Sequence, residues 1–204
     1  MSNRIGLFGG TFDPPHTGHL IMAESLRQDA ELDRVIFLPS GQPPHKIDWN
    51  ITPAPHRREM VRLAIAGNPQ FTISDWELTQ SGPCYTLETA KYFKSQFPDQ
   101  QFCWLIGSDS LADLPTWHGF EELIMTIDIL TAQRGGFALD TILQQVSDEV
   151  SRRAFDKLKA NIVRTPTIEI ASRNIRRRVK RGQDIRYLVP EAVREYILRE
   201  GLYR

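Results

Sequence analysis

Short apolar runs bounded by Gly or Pro alternate along this chain with longer stretches whose apolar residues recur every three or four positions. The runs are Ile5–Phe8, Val35–Leu38, Phe71–Ile73, Phe102–Ile106, Ile127–Thr131 and Thr167–Ile170. Between them, His19–Leu32, Pro55–Ala66, Thr86–Phe97 and Phe120–Met125 carry helical spacing, with apolar faces such as Leu20, Ala23, Leu26 and Met60, Leu63, Ala64. That alternation predicts βα units around a doubly wound parallel sheet, an α/β fold.

Past the fifth run, apolar positions 139, 142, 143, 146, 150 and 154 predict one helix over Leu139–Leu158. A C-terminal helical portion follows: Asn174–Arg181 stopped by Gly182, then Pro190–Glu200 with Pro190 in its first turn. At 204 residues the chain is expected to form a single domain over 1–204, with 165–204 part of it.

Composition narrows the function classes. Twenty-five basic residues balance 25 acidic ones, so bulk attraction to nucleic acid or an anionic membrane is not expected, and any basic function is local. Cys84 and Cys103 lack Cys-x-x-Cys spacing and predict reduced thiols rather than a zinc knuckle or disulfide framework. No apolar run approaches the roughly 20 residues that span a bilayer. These features predict a soluble, cytoplasmic protein.

The candidate chemistry begins where the first run ends. Gly9-Gly10-Thr11-Phe12-Asp13-Pro14-Pro15-His16-Thr17-Gly18-His19 leads from a strand into a helix. Strand ends in open parallel sheets face the ligand crevice, and a helix N-terminus offers backbone N–H groups and a positive dipole end. The glycines let backbone approach a polyphosphate. His16 and His19, three residues apart, can turn both rings to one side and donate to one phosphate group. The same pair could contribute to a metal site completed by distant residues, or be unrelated surface histidines.

This segment resembles the His-x-Gly-His signature of a nucleotidyltransferase superfamily, and its extended form is similar to that of bacterial nicotinate-nucleotide adenylyltransferases. Further resemblances follow in order: Pro43-Pro-His-Lys46, Pro83-Cys-Tyr-Thr86, Ile106-Gly-Ser-Asp-Ser-Leu111, Pro115-Thr-Trp117 and Gly201-Leu-Tyr-Arg204. Only Gly136–Val163 lacks a counterpart. The resemblance implies a Rossmann-like nucleotidyltransferase fold and adenylyl transfer from ATP to nicotinate mononucleotide, giving nicotinate adenine dinucleotide and pyrophosphate in NAD biosynthesis.

The resemblance also assigns roles. His16, His19 and Arg176 would be catalytic, the histidines steadying the α- and β-phosphates and Arg176 the outgoing pyrophosphate. Gly9, Gly10, Thr11, Phe12, Gly18, Gly107, Asp109, Arg134, Ser172, Arg173 and Lys46 would bind ATP and phosphate. Asp109 suits a ribose hydroxyl or a cation, and equally a cap on a helix starting near Ser110. Lys46 reads either as a phosphate contact or as a solvated loop cation. Tyr85, Thr86, Trp117 and His118 would form the pyridine pocket, an aromatic face for the ring and backbone N–H groups for its carboxylate; taken alone, Trp117 also reads as core. Mg2+ is expected with ATP, held by substrate and water, with no dedicated protein metal site.

One segment departs from the family pattern. The second signature, Ile-Ser-Ser/Ala-Thr-x-Ile-Arg, reads Ile170-Ala-Ser-Arg-Asn-Ile-Arg176 here, with Ala171 and Arg173 in place of two hydroxyl residues. Six basic residues lie between 173 and 181; as a helix they would spread around the axis beside a triphosphate site. A relative using nicotinamide mononucleotide or another acceptor, and a catalytically weak nucleotide binder, fit the same opening segment.

Overall fold

The strand Gln101–Gly107 is buried from Phe102 onward, the continuous apolar run of a parallel strand covered on both faces. It is the fourth strand of a computed structural model that describes residues 3–41, 51–133 and 139–204. In chain order the described elements are β1 (Arg4–Gly10), α1 (Thr17–Asp29), β2 (Arg34–Pro39), α2 (Ala54–Ile65), β3 (Phe71–Ile73), α3 (Thr86–Gln96), β4 (Gln101–Gly107), α4 (Ser108–Asp113), α5 (Phe120–Thr126), β5 (Asp128–Gln133), α6 (Leu139–Ser147), α7 (Arg152–Ala160), β6 (Ile162–Arg164), α8 (Ser172–Lys180) and α9 (Glu191–Arg199).

The strands form a parallel sheet of order β3-β2-β1-β4-β5-β6 with helices on both sides, the doubly wound α/β architecture predicted from the pattern. Strand order reverses beside β1. Open α/β sheets bind ligands at the carboxyl ends of the strands at such a switch point, and β1 and β4 end there in Gly10 and Gly107.

The chain divides into two compact units. The first comprises Met1–Gly9, Met22–Val35 and Tyr85–Ile168. Within it Ile5 pairs with Phe102 and Leu7 with Trp104, while Trp104, Leu105 and Ile106 pair with Ile129, Leu130 and Thr131. Lys157 fastens α7 to the end of α5, donating to Ile124 O (2.6 Å) and Ile127 O (3.1 Å), where carbonyls lack intrahelical partners.

The second unit comprises Gly10–Ile21, Ile36–Cys84 and Glu169–Arg204. Its core joins Met60 of α2, Ile175 of α8 and Val193, Tyr196 and Ile197 of α9 with Ile185 and Val189. Nδ1 of His56 lies 2.8 Å from the Tyr196 hydroxyl.

Two predicted elements change. The stretch 139–158 is two helices: α6 ends at Ser147, and Ser151 starts α7 by accepting from Ala154 N at 3.4 Å, an N-cap that the unbroken apolar period concealed. The sixth strand is Ile162–Arg164 rather than Thr167–Ile170, because Ile162, Val163 and Arg164 pair with Thr131, Ala132 and Gln133. Pro166 then follows with no N–H to donate to a ladder. The short helix expected to start near Ser110 is α4, which begins two residues earlier at Ser108. Among the described residues no helix is long and apolar enough to cross a membrane.

Candidate active site

In the second unit, the segment after β1 turns on Phe12, whose φ of +49° is left-handed and whose ring is buried. The ring lies edge-on to His19 with centroids 5.2 Å apart and covers Gly10, where an added Cβ would sit 3.0 Å from it. A left-handed, non-glycine residue costs about 1–2 kcal/mol, a type of strain that clusters at functional sites. Phe12 is therefore placed as a wedge beneath His19.

The histidines stack. Their ring centroids are 3.6 Å apart with planes 19° from parallel, His16 almost fully buried and His19 half-buried. The backbone N–H of His16 donates to Nδ1 of His19 at 3.1 Å. An acceptor nitrogen carries no proton, so in neutral His19 the proton rests on Nε2, the nitrogen able to donate to a phosphate oxygen. α1 starts at Thr17, placing Gly18 in its first turn. Leu188 O accepts from Thr17 N (2.9 Å) and Tyr187 O from Thr17 Oγ1 (3.1 Å).

Residues far along the chain hold this loop. Ser172 Oγ donates to Pro14 O at 2.9 Å. A serine hydroxyl has one proton, and in this structure the loop holds it. Arg176 Nη1 donates to Asp13 O at 2.7 Å. Ala171 occupies the N-cap of α8 without a capping side chain, and Arg173 is exposed in the first turn. Of the six basic residues, Arg176, Arg177 and Lys180 share a face of α8 and line, with Tyr203 and Arg204, a groove of about 480 Å³. Arg178 instead donates to Asp184 O.

Three side chains given no role by the sequence meet at this loop: Asp13 within it, and Arg57 and Tyr203 from outside it. Asp13 is 5% exposed and Arg57, on α2, 2% exposed. Asp13 accepts from Tyr203 Oη (2.6 Å) and Thr52 N (3.3 Å). Arg57 donates to Thr52 O (2.8 Å), Thr11 O (2.9 Å) and Gly41 O (3.3 Å). Burial works against the Arg57 charge, while Asp13 and Tyr203 favour it. Burial first, then the Asp13 carboxylate, push the Tyr203 hydroxyl up, so it stays protonated and donates. Asp13 and Tyr203 lie inside family-like segments, but nothing in the local pattern assigns them this contact, and Arg57 lies in no such segment.

In the first unit, Gly9 closes against the indole of Trp104, where a Cβ would come within 2.5 Å of Cζ2. Gly107 is the N-cap of α4, so Asp109 lies inside the first turn and is not its cap. It is exposed, beside the positive end of the helix dipole. Tyr85 is the N-cap of α3, and Thr86 opens that helix. The Tyr85 and His118 rings lie 4.6 Å apart at 40°, both exposed, and Trp117 is half-buried with its N–H on Leu114 O. Of the residues expected to form a pyridine pocket, the structure brings Tyr85 and His118 into contact. Lys46 and Arg134 lie outside the described residues.

The cytidylyltransferase-like family matches residues 7–178. A Thermomicrobium roseum protein named probable nicotinate-nucleotide adenylyltransferase is 47% identical over 99% of this chain and 92% of its own length. The Bacillus subtilis nicotinate-nucleotide adenylyltransferase is 38% identical over 98% of each. A solved structure of Plasmodium falciparum nicotinic acid mononucleotide adenylyltransferase, complexed with NaAD, superposes with a TM-score of 0.78, covering 98% of this chain and 97% of that one at 20% identity, a likeness of fold. The motif, the doubly wound sheet and relatives matched nearly end to end agree: the chain belongs to the nicotinate-nucleotide adenylyltransferase family.

Proposed function

We propose that this protein transfers the adenylyl group of ATP to nicotinate mononucleotide, forming nicotinate adenine dinucleotide and pyrophosphate, a step of NAD biosynthesis. The observation that carries the reading is the near end-to-end similarity to nicotinate-nucleotide adenylyltransferases at up to 47% identity. The stacked His16–His19 pair at the mouth of α1 supports it.

The reaction is an in-line displacement. An oxygen of the acceptor's phosphate bonds to the α-phosphorus of ATP as the bond from that phosphorus to the pyrophosphate oxygen breaks. No protein nucleophile is needed, and positioning and charge stabilisation supply the rate. His19 donates from Nε2 to a phosphate oxygen, and His16, stacked on it, fixes its plane. N–H groups of the glycine loop and the α1 terminus favour the anion, and Arg176 receives the outgoing pyrophosphate. Tyr85, His118 and the start of α3 take the pyridine ring and its carboxylate, Gly107 and Asp109 the ribose.

Mg2+ enters with ATP. It would screen the charge of the phosphate oxygens during transfer.

The test is turnover of purified protein with ATP and either nicotinate or nicotinamide mononucleotide, following both dinucleotide and pyrophosphate. Faster turnover of the acid is expected. Equal or reversed preference would overturn the acid assignment, and ATP affinity without pyrophosphate release would leave a binding protein.

A further inference from the structure

Between Thr11 and His16 the main chain is tied down by side chains from distant parts of the second unit. Arg57 holds the Thr11 carbonyl, Arg176 the Asp13 carbonyl and Ser172 the Pro14 carbonyl. Tyr203, one residue from the end of the chain, holds the Asp13 carboxylate. Arg176 also receives pyrophosphate in the mechanism above and Ser172 is an expected phosphate ligand, whereas Arg57 and Tyr203 have no other task. Arg57 is almost fully buried, and its bonds to Thr52, Thr11 and Gly41 all go to backbone carbonyls. Tyr203 meets Asp13 through its hydroxyl, which also lies 3.9 Å from the sulfur of Met60.

We propose that Arg57 and Tyr203 are positioning residues for adenylyl transfer, holding the Thr11–His16 main chain so that His16 N stays on His19 Nδ1 and the stacked imidazoles keep their orientation. Phe12 sits in the left-handed region, a conformation that persists only where its surroundings over-determine it. Arg57 grips the residue before Phe12 and Tyr203 the residue after it. Buried hydrogen bonds to charged groups are strong enough to hold such a conformation. Arg57 also joins Gly41 and Thr52 to the same point, and Thr52 N returns to Asp13, closing a ring of contacts around Phe12. Loosening either grip lets the histidine pair turn without removing any group that touches substrate.

This inference rests on the proposed adenylyl transfer, and the experiment separates the two. Tyr203→Phe deletes only the hydroxyl. The wild type, Tyr203→Phe, Arg57→Lys, His19→Ala and the His19→Ala/Tyr203→Phe pair are assayed with ATP and nicotinate mononucleotide, with melting temperatures recorded. In Tyr203→Phe, kcat is expected to fall five- to thirtyfold at a temperature where it is folded, with KM for the acceptor within twofold of wild type. The double variant should be no slower than His19→Ala alone, because the hydroxyl acts through the histidines; a purely structural loss would add instead. Arg57→Lys keeps the charge without the fork and should fall between the wild type and His19→Ala. Wild-type kcat in Tyr203→Phe, additivity in the double variant, or melting of Tyr203→Phe below the assay temperature would each overturn the proposal. A wild type that makes no dinucleotide would instead overturn the function reading itself.

Discussion

The backbone N–H of His16 donates to Nδ1 of His19 at 3.1 Å while the two rings stack with centroids 3.6 Å apart. The contact makes Nδ1 an acceptor and Nε2 the donor. Gln at 19 can reach with an amide N–H toward the position of Nε2, whereas Asn, shorter, can replace only the Nδ1 acceptor. His19→Gln should therefore keep more kcat than His19→Asn, and His19→Asn should lose roughly ten- to a hundredfold, the worth of a hydrogen bond to a charged phosphate of about 1.5–3 kcal/mol. Steady-state kinetics decide. Equal losses would remove the Nε2 donor role.

Arg173, where the family resemblance implies a hydroxyl residue, is exposed in the first turn of α8. If its guanidinium holds phosphate in place of that hydroxyl, Arg173→Ala should raise KM for ATP roughly tenfold or more, leaving KM for the acceptor alone. Unchanged constants would put the side chain outside the site.

Gly9→Ala would drive a Cβ to 2.5 Å from the buried Trp104 indole. Overpacking of this kind costs about 1–3 kcal/mol. A lowered melting temperature and a shifted tryptophan emission are expected, and Trp104→Phe should recover part of the stability in the double variant. Full stability in Gly9→Ala would show the strand end able to move aside.

Asp184 organises the turn that meets the histidine helix. Its Oδ1 accepts from Arg194 Nε (2.7 Å), Ile185 N (2.8 Å) and Arg186 N (3.1 Å), and that turn carries the carbonyls on Thr17. Arg194 above all holds the Asp184 carboxyl below the usual carboxylate range. A depressed carboxylate adds stability above its unfolded pKa, near 4, and loses it as pH falls through the folded value. Asp184→Asn should therefore melt below wild type at pH 7, by a margin that is steady down to about pH 5 and shrinks below about pH 4. Thermal melts across that range check it, and a margin independent of pH would show that the charge does nothing.

Tyr85 and His118 pair at 4.6 Å on the exposed surface before α3. An aromatic contact is worth about 0.5–1.5 kcal/mol beyond its area, so Tyr85→Ala should raise KM for the acceptor roughly two- to tenfold and leave KM for ATP within twofold. A rise in the ATP constant alone would place the pyridine ring elsewhere.

The strands and most helices were legible because burial on a repeating backbone leaves a repeating pattern: β4 is buried from Phe102 to Gly107 and reads as one apolar run. Ile162–Arg164 did not stand out, since three residues at a sheet edge need little apolar content, and pairing with β5 alone makes them a strand. The break between α6 and α7 was missed because Ser151 interrupts the backbone without interrupting the apolar period.

The site divides in the same way. Residues 9–19 announce themselves because glycine, proline and histidine act there on neighbouring backbone, where sequence distance and spatial distance agree. What holds them does not. The bonds from Arg57 to Thr11, Ser172 to Pro14 and Tyr203 to Asp13 join residues 46, 158 and 190 positions apart, and a donor chooses its acceptor only after the chain has brought them together. The chemistry of this protein is therefore written in local sequence, while the rigidity of its histidine loop follows from the path of the folded chain.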